Sequence, residues 1–470
     1  MKIFLNPWGI ILSATLLIAT GASAVTFTNI YVFPPDGFTT IDGSLADTNA
    51  DGIAPDSLVL VGDTLYGTAI NGGTYGDGTL FRVNTDGTHF TNFVNFTRGT
   101  YDPSSGFYDG STGSQPNAGL LLVSNTLYGT TFYGGHFDAG TVFKIGNQGV
   151  ETILHSFNGA SNGGGPFAGL ARDREGNLYG TTGYGGAHNL GTVFKVSPTG
   201  EARVLYSFSG PPDGASPFAG VILDAQGNIY GTTSNGGTGS CPAVGQEGCG
   251  SVYVLTKSGN ERVIYSFQGG ESDGAFPNSL LVRGADGNFY GTTSTGGCLY
   301  SPTCGTVFRI TKDGVEKVLH RFGGDNDGAG PNGVIFGPGG ILYGTTYSGG
   351  GNDGGMVFGL TLAGAEIILY HFGSTSNDGI NPGAGLLWYG GGTFYGTTEM
   401  GGGPGCLTGC GTIFRVTTAG VETVVYSFSD NPSGGFIPFA TVIRDPSGNL
   451  YGTTGEGGPT DNGTVFEVTP

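Results

Sequence analysis

The apolar residues of this chain fall in short runs of about five, and nothing after the first 24 residues spaces them as a helix would. The stretch from Pro166 to Phe208 shows the pattern once through. A run opens after Pro166, and the turn residues Glu175-Gly176-Asn177 follow it. The second run is Leu178-Tyr179-Gly180-Thr181-Thr182. The third, Gly191-Thr192-Val193-Phe194-Lys195-Val196, ends at the turn Pro198-Thr199-Gly200. Leu205-Tyr206-Ser207-Phe208 closes the unit. Four short runs rich in β-branched and aromatic residues, separated by turn formers, predict a four-stranded antiparallel meander. We label its strands A to D.

The unit recurs eight times. Its B-strand tyrosines are Tyr66, Tyr128, Tyr179, Tyr230, Tyr290, Tyr343, Tyr395 and Tyr451, spaced by 62, 51, 51, 60, 53, 52 and 56 residues. The C and A runs, opened by Gly and Pro respectively, recur in step. The closing D run occurs only seven times within the units, because the eighth copy stops at Val468. The N-terminal run from Phe27 to Phe33 supplies the missing copy. If it completes the last sheet, a ring closes and only short, protected edges remain, whereas a solenoid would want polar caps. The expectation is an all-β fold: one eight-bladed β-propeller of four-stranded antiparallel blades over residues 25–470, closed by the N-terminal strand.

The text Leu178-Tyr179-Gly180-Thr181-Thr182, Gly185-Gly186, Gly191 to Val196 and Leu205 to Phe208 resembles the GloVer tandem-repeat family of secreted bacterial proteins. The resemblance covers essentially the whole chain after residue 24. It implies propeller-like repeats and export, and brings no established activity with it.

Composition adjusts this picture in two ways. Gly (96) and Pro (23) make up about a quarter of 470 residues. Such content without a period would suggest disorder, but here it punctuates turns. A formal net charge of −19 disfavours nucleic acid and anionic lipid as partners. Residues 1–24 read as a secretory signal: Lys2, a mostly apolar stretch from Trp8 to Thr20, then Ala22-Ser23-Ala24 for cleavage. The stretch is short of the roughly 20 residues a spanning helix needs. The chain is therefore expected to be secreted, extracellular or periplasmic, as a monomer with no transmembrane segment once the signal is removed. Six cysteines agree with export. They allow fifteen pairings, but their placement within single loops favours Cys241–Cys249, Cys298–Cys304 and Cys406–Cys410. A thiolate metal site is disfavoured, because the pairs sit in separate repeats.

Residues present in every blade read as structural, so a site should appear where the units depart from one another. From the repeat Tyr to the C-strand Gly the separation is 12 in five units, but 20, 15 and 16 in the three Cys-bearing ones. The D–A connections are longest at 21 residues between Phe33 and Pro55 and 19 between Phe96 and Pro116. All these insertions fall on the face shared by D–A and B–C loops. Candidate ligand-binding residues there are Tyr101, Tyr108, Phe132, Tyr133, Tyr184, Tyr347, Glu399 and Glu456. Aromatics beside carboxylates suit sugars, whose CH faces stack while hydroxyls find acceptors; the alternative is that the rings fold back as small loop clusters. Asp47, Asn49 and Asp51 with Gly52 match the start of a calcium loop, but Leu58 stands where the bidentate Glu belongs. A structural calcium and a plain turn both fit. No other cofactor is expected, and six scattered His argue against a His-based metal centre. Signatures of Ser hydrolases, zincins and nucleotide binders are missing. The favoured reading is a secreted, non-catalytic recognition module for an extracellular glycan or protein. A polysaccharide-active hydrolase or lyase on the same face, with Glu399 and Glu456 as a carboxylate pair, and a structural cell-surface protein are the alternatives.

Overall fold

The computed structural model describes residues 25–41, 44–146, 149–241, 248–298, 304–403, 409–429 and 434–470, with the backbone alone for 38–47. The predicted signal, residues 1–24, lies outside the described residues. Eight four-stranded antiparallel sheets follow one another around a ring, each in the order A-B-C-D. This is the eight-bladed β-propeller expected from the repeat. Blade 3 is representative: A Ala171–Arg172, B Leu178–Thr182, C Thr192–Val196, D Ala202–Ser207. No α-helix occurs among the described residues. In the last blade, strand C (Thr464–Thr469) pairs with the N-terminal strand Thr26–Val32, Phe27 opposite Val468 and Asn29 opposite Phe466. The chain's beginning thus supplies the strand its end lacks.

Two repeated glycines follow from packing. Gly180 stands opposite Phe194 in the ladder, and a Cβ there would come within 2.6 Å of the ring tip. Gly191 takes a φ of +96°, and a Cβ would meet Pro217 of the next blade at 2.5 Å. The first glycine lets strand C lay its aromatic across strand B; the second lets neighbouring blades approach, in a left-handed conformation that glycine adopts freely. In blades 3, 4, 5 and 8 the repeated Tyr hydrogen-bonds through its hydroxyl. Tyr179 donates to Asp173 at 2.9 Å and Tyr290 to Asp286 at 2.6 Å, each carboxylate lying in the A–B turn of its own blade. Lys195, opposite Tyr179 in the ladder, places its ammonium 5.5 Å from that ring.

The core lies between blades. The Phe that follows each D strand is buried and meets the C-strand aromatic of the next blade. Phe157–Phe194, Phe208–Tyr253 and Phe33–Phe81 are edge to face at 5.0, 5.0 and 5.2 Å. All eight such contacts lie between 4.8 and 5.4 Å. Burying each ring contributes about 2–3 kcal/mol, and the ring pair about 0.5–1.5 kcal/mol more. Cys241–Cys249 and Cys298–Cys304 are bonded as predicted, each within its own loop. Cys410 is also disulfide-bonded; Cys406 lies outside the described residues.

A second set of contacts joins the D strands. Tyr206 of blade 3 donates to Asp213 in the following loop at 2.9 Å, and Glu261, which begins the next D strand, lies against both. Tyr265, Asp273 and Glu316 repeat this between blades 4 and 5, with the phenol 2.8 Å from Asp273. Tyr370, Asp378 and Glu422 repeat it between blades 6 and 7, at 2.9 Å. Where the N-terminal strand enters the ring, stacked rings stand beside these tyrosines: Phe27 on Tyr426 at 3.7 Å and Phe90 on Tyr31 at 3.5 Å, with Tyr31 still donating to Asp51 in the following loop.

Candidate functional site

The face carrying the insertions is built on short ladders between D–A and B–C loops. Every blade has one, including Ser114 with Tyr133, Gly164 with Tyr184, Gly214 with Gly236 and Gly379 with Gly401. These hydrogen bonds hold loops of very different length on a common footing. Beneath them, buried hydroxyl pairs such as Thr182–Thr192 and Thr398–Thr412, both at 2.9 Å, join strands B and C.

The predicted aromatic residues divide into two groups. Tyr101 and Tyr108 face each other at 5.1 Å across the hairpin formed by Thr100–Asp102 and Phe107–Asp109. That hairpin folds onto the B–C loop of blade 2, where Phe107 stacks on His136 at 4.4 Å and meets Phe137. Phe132, Tyr133 and Tyr184 lie further along the loops. Arg98 covers the Tyr133 ring at 4.7 Å and stands 3.4 Å from Asp77. Tyr184 is half-buried against Gly164 and Gly165, and burial is the first of the causes that raise its pKa.

Phe132 also belongs to an arc that was not anticipated from the sequence. It meets Phe167 of blade 3 at 6.1 Å, and Phe167 meets Phe218 of blade 4 at 6.1 Å. Phe167 and Phe218 are 48% and 40% exposed, unusually open for this residue type. Both follow the proline that opens strand A. The A strands of blades 1 and 8, 3 and 4, and 5 and 6 approach one another, so this position lies at the inner edge of the ring. Gly183, at the start of the B–C loop, leaves room for the Phe218 ring, as Gly455 does for Phe439. The available signal was the variation just after the A-strand proline.

The acidic candidates also divide. Tyr347 donates to Glu399 at 3.2 Å between blades 6 and 7. Burial raises the Glu399 pKa, against the hydrogen bond from Tyr347, which lowers it. Gly383, at the position of Phe218, has no side chain and so leaves space for the Glu399 carboxylate. Glu456 is exposed and paired in its ladder with Phe436. Asp56, which follows the blade 1 proline, was not predicted; burial pushes its carboxyl up to about 6.

Around the proposed calcium loop, Asn49 is buried and its amide oxygen accepts from the backbone N–H of Asp51 at 3.1 Å and Gly52 at 2.5 Å. Its amide nitrogen donates to Gly52 O at 2.6 Å, and Tyr31 donates to the Asp51 carboxylate. The Asp47 side chain lies outside the described residues. Among the described residues, no helix is long and apolar enough to cross a membrane.

The Gloeobacter/Verrucomicrobia repeat matches residues 17–241, 97–303 and 300–470 in overlapping stretches. The chain belongs to the Gloeobacter/Verrucomicrobia repeat family. No curated protein matches it. Among solved structures it is similar to a puromycin-hydrolyzing peptidase of Mycobacterium tuberculosis (12% identity, TM-score 0.48), covering 85% of this chain and 58% of that one. It is also similar to a putative 6-phosphogluconolactonase of Bacteroides fragilis (14% identity, TM-score 0.42), covering 78% of this chain and 95% of that one. The chain thus spans under two thirds of the peptidase.

In this Gloeobacter/Verrucomicrobia repeat protein, the residues common to all blades hold the ring together, as the Tyr179, Gly180 and Phe208 contacts show. Two clusters that differ between blades lie toward the inner edge of one face. An apolar arc occupies blades 2 to 4, and a Tyr–Glu pair bridges blades 6 and 7.

Proposed function

We propose that this face is a non-catalytic recognition surface for an extracellular glycan, with the arc Phe132, Phe167 and Phe218 as its stacking platform. The observation that carries the reading is the exposure of Phe167 and Phe218 side by side on a rigid, hydrogen-bonded scaffold. Rings held open in this way stack on the apolar faces of sugars, and Tyr347 and Glu399 offer polar groups for hydroxyls. A glycan-array screen of purified residues 25–470, with calcium present, tests it. Saturable binding to one glycan class, lost in Phe167→Ala and Phe218→Ala, supports the reading. Absence of binding across a broad array defeats it, and leaves a protein ligand or a structural role at the cell surface.

One observation favours a second reading. Glu399 is a partly buried carboxyl with a raised pKa and a phenol in contact, which suits a general acid in polysaccharide cleavage. Release of reducing ends or unsaturated products by the wild type, lost in Glu399→Gln, would support a hydrolase or lyase.

A further inference from the structure

We propose that His320, Asp327 and Glu366 form a divalent-cation site of zinc type between blades 5 and 6. The three residues come from strand D of blade 5, the loop after it, and the first position of strand D in blade 6. His320 Nε2 lies 3.0 Å from Asp327 Oδ1 and 3.5 Å from Glu366 Oε1, and the three donor atoms lie within 4.8 Å of one another. A tetrahedral ion about 2.0–2.2 Å from each ligand spaces them about 3.3–3.6 Å apart, so small side-chain shifts complete the geometry. Imidazole with two carboxylates is a donor set suited to zinc.

The neighbouring interfaces show what is particular here. At this position of the ring they carry Tyr206, Tyr265 and Tyr370, each donating to an Asp with a Glu beside it. A phenol so placed keeps its proton, because burial and the adjoining carboxylates push its pKa up. Imidazole in its place donates from Nε2–H to Asp327 Oδ1 at 3.0 Å, and this proton is exchangeable for a cation, which leaves the nitrogen as a ligand between the equivalent two carboxylates. The surroundings also orient the ligands. Gly323 N–H donates to Asp327 Oδ2 at 3.0 Å, leaving Oδ1 turned to the histidine. Glu366 Oε1 is buried and has no hydrogen-bond partner. The ring of His320 is steadied by an edge contact with Phe322 at 4.7 Å. All three side chains keep some exposure, between 18% and 31%, which gives an ion a way in and room for a water as fourth ligand.

The test is zinc binding by purified residues 25–470 after chelator treatment and gel filtration, read as retained metal per chain and as a shift in Tm. His320→Tyr installs the residue of the neighbouring interfaces, so the ring should assemble normally. Glu366→Gln removes one ligand with little change in shape. The wild type should retain one zinc per chain and gain roughly 2–5 °C in Tm at saturation. Both variants should bind at least tenfold more weakly and lose the Tm gain. Failure of the wild type to retain zinc overturns the proposal. Equal retention by both variants also overturns it, because the ion would then sit on other histidines. If His320→Tyr does not fold, Glu366→Gln alone decides between the same two outcomes.

Discussion

Phe33 meets Phe81 edge to face at 5.2 Å, joining the last blade to the first with the contact that joins every other pair. The relationship makes the N-terminal strand part of the core. Phe33 is fully buried, and its neighbours Ile30, Leu58 and Val465 are buried with it. Phe33→Ala should therefore destabilise by about 3–5 kcal/mol, seen as a lower urea midpoint. Phe27→Ala, at a partly exposed stacking position, should cost less. A Phe33→Ala cost below about 1 kcal/mol would mean that ladder hydrogen bonds alone close the ring.

The recognition reading makes a separable claim. Phe167 and Phe218 are exposed, so replacing either with Ala should leave the unfolding free energy from urea titration within about 0.5 kcal/mol of wild type. Glycan affinity should fall at least tenfold. Removing Tyr101 should weaken binding less, because its ring is engaged with Tyr108 in a hairpin of its own. Equal losses for Tyr101→Ala and Phe167→Ala would shift the site outward to the hairpin.

The disulfides close short loops, with Cys249 and Cys304 fully buried. On the chain-entropy account each bond should contribute about 2–3 kcal/mol. Replacing Cys241 and Cys249 together with Ser should lower stability by that amount in urea titration, with the eight-blade fold retained by circular dichroism. A negligible loss would place the stability of blade 4 in its ladders and its Phe208–Tyr253 contact instead.

The ring was legible in the sequence because each blade repeats its own instructions. Gly180 needs Phe194 opposite it, and both belong to one 51-residue unit. The missing eighth D strand was legible for the same reason, as one absent copy in a series. Contacts between blades were not legible. Tyr347 and Glu399 are 52 positions apart, and the His320 cluster draws on three elements of two blades. No single repeat contains either. The Phe167–Phe218 arc was not legible because the most visible variation lies before the Gly-Gly of the B–C loop, whereas exposure at the inner edge is decided just after the A-strand proline.

The interfaces between D strands also give the stability a pH dependence. Burial raises the Glu151 carboxyl from 4.5 to about 8, and its Oε1 makes no hydrogen bond. The position that carries Tyr206 in blade 3 is Val94 in blade 1, so blade 2's Glu151 meets no phenol there. Burial raises Glu261, Glu316 and Glu422 to about 7, helped by Asp213, Asp273 and Asp378 respectively. Each of these groups holds a proton in the folded chain that the unfolded chain has released above about 4.5. Folding therefore binds protons in this window, and stability falls as pH rises. From about 4.5 to 7 all four carboxyls contribute to the fall, with Asp56 adding to it below about 6; from 7 to 8 Glu151 alone of these groups does; above 8 they add no further slope. Urea midpoints measured from pH 5 to 9 should show that shape. Glu151→Gln should abolish the segment between 7 and 8 and leave the descent below 7 in place. A wild-type curve that rises with pH over the whole range would show that these carboxyls are ionised in the folded ring.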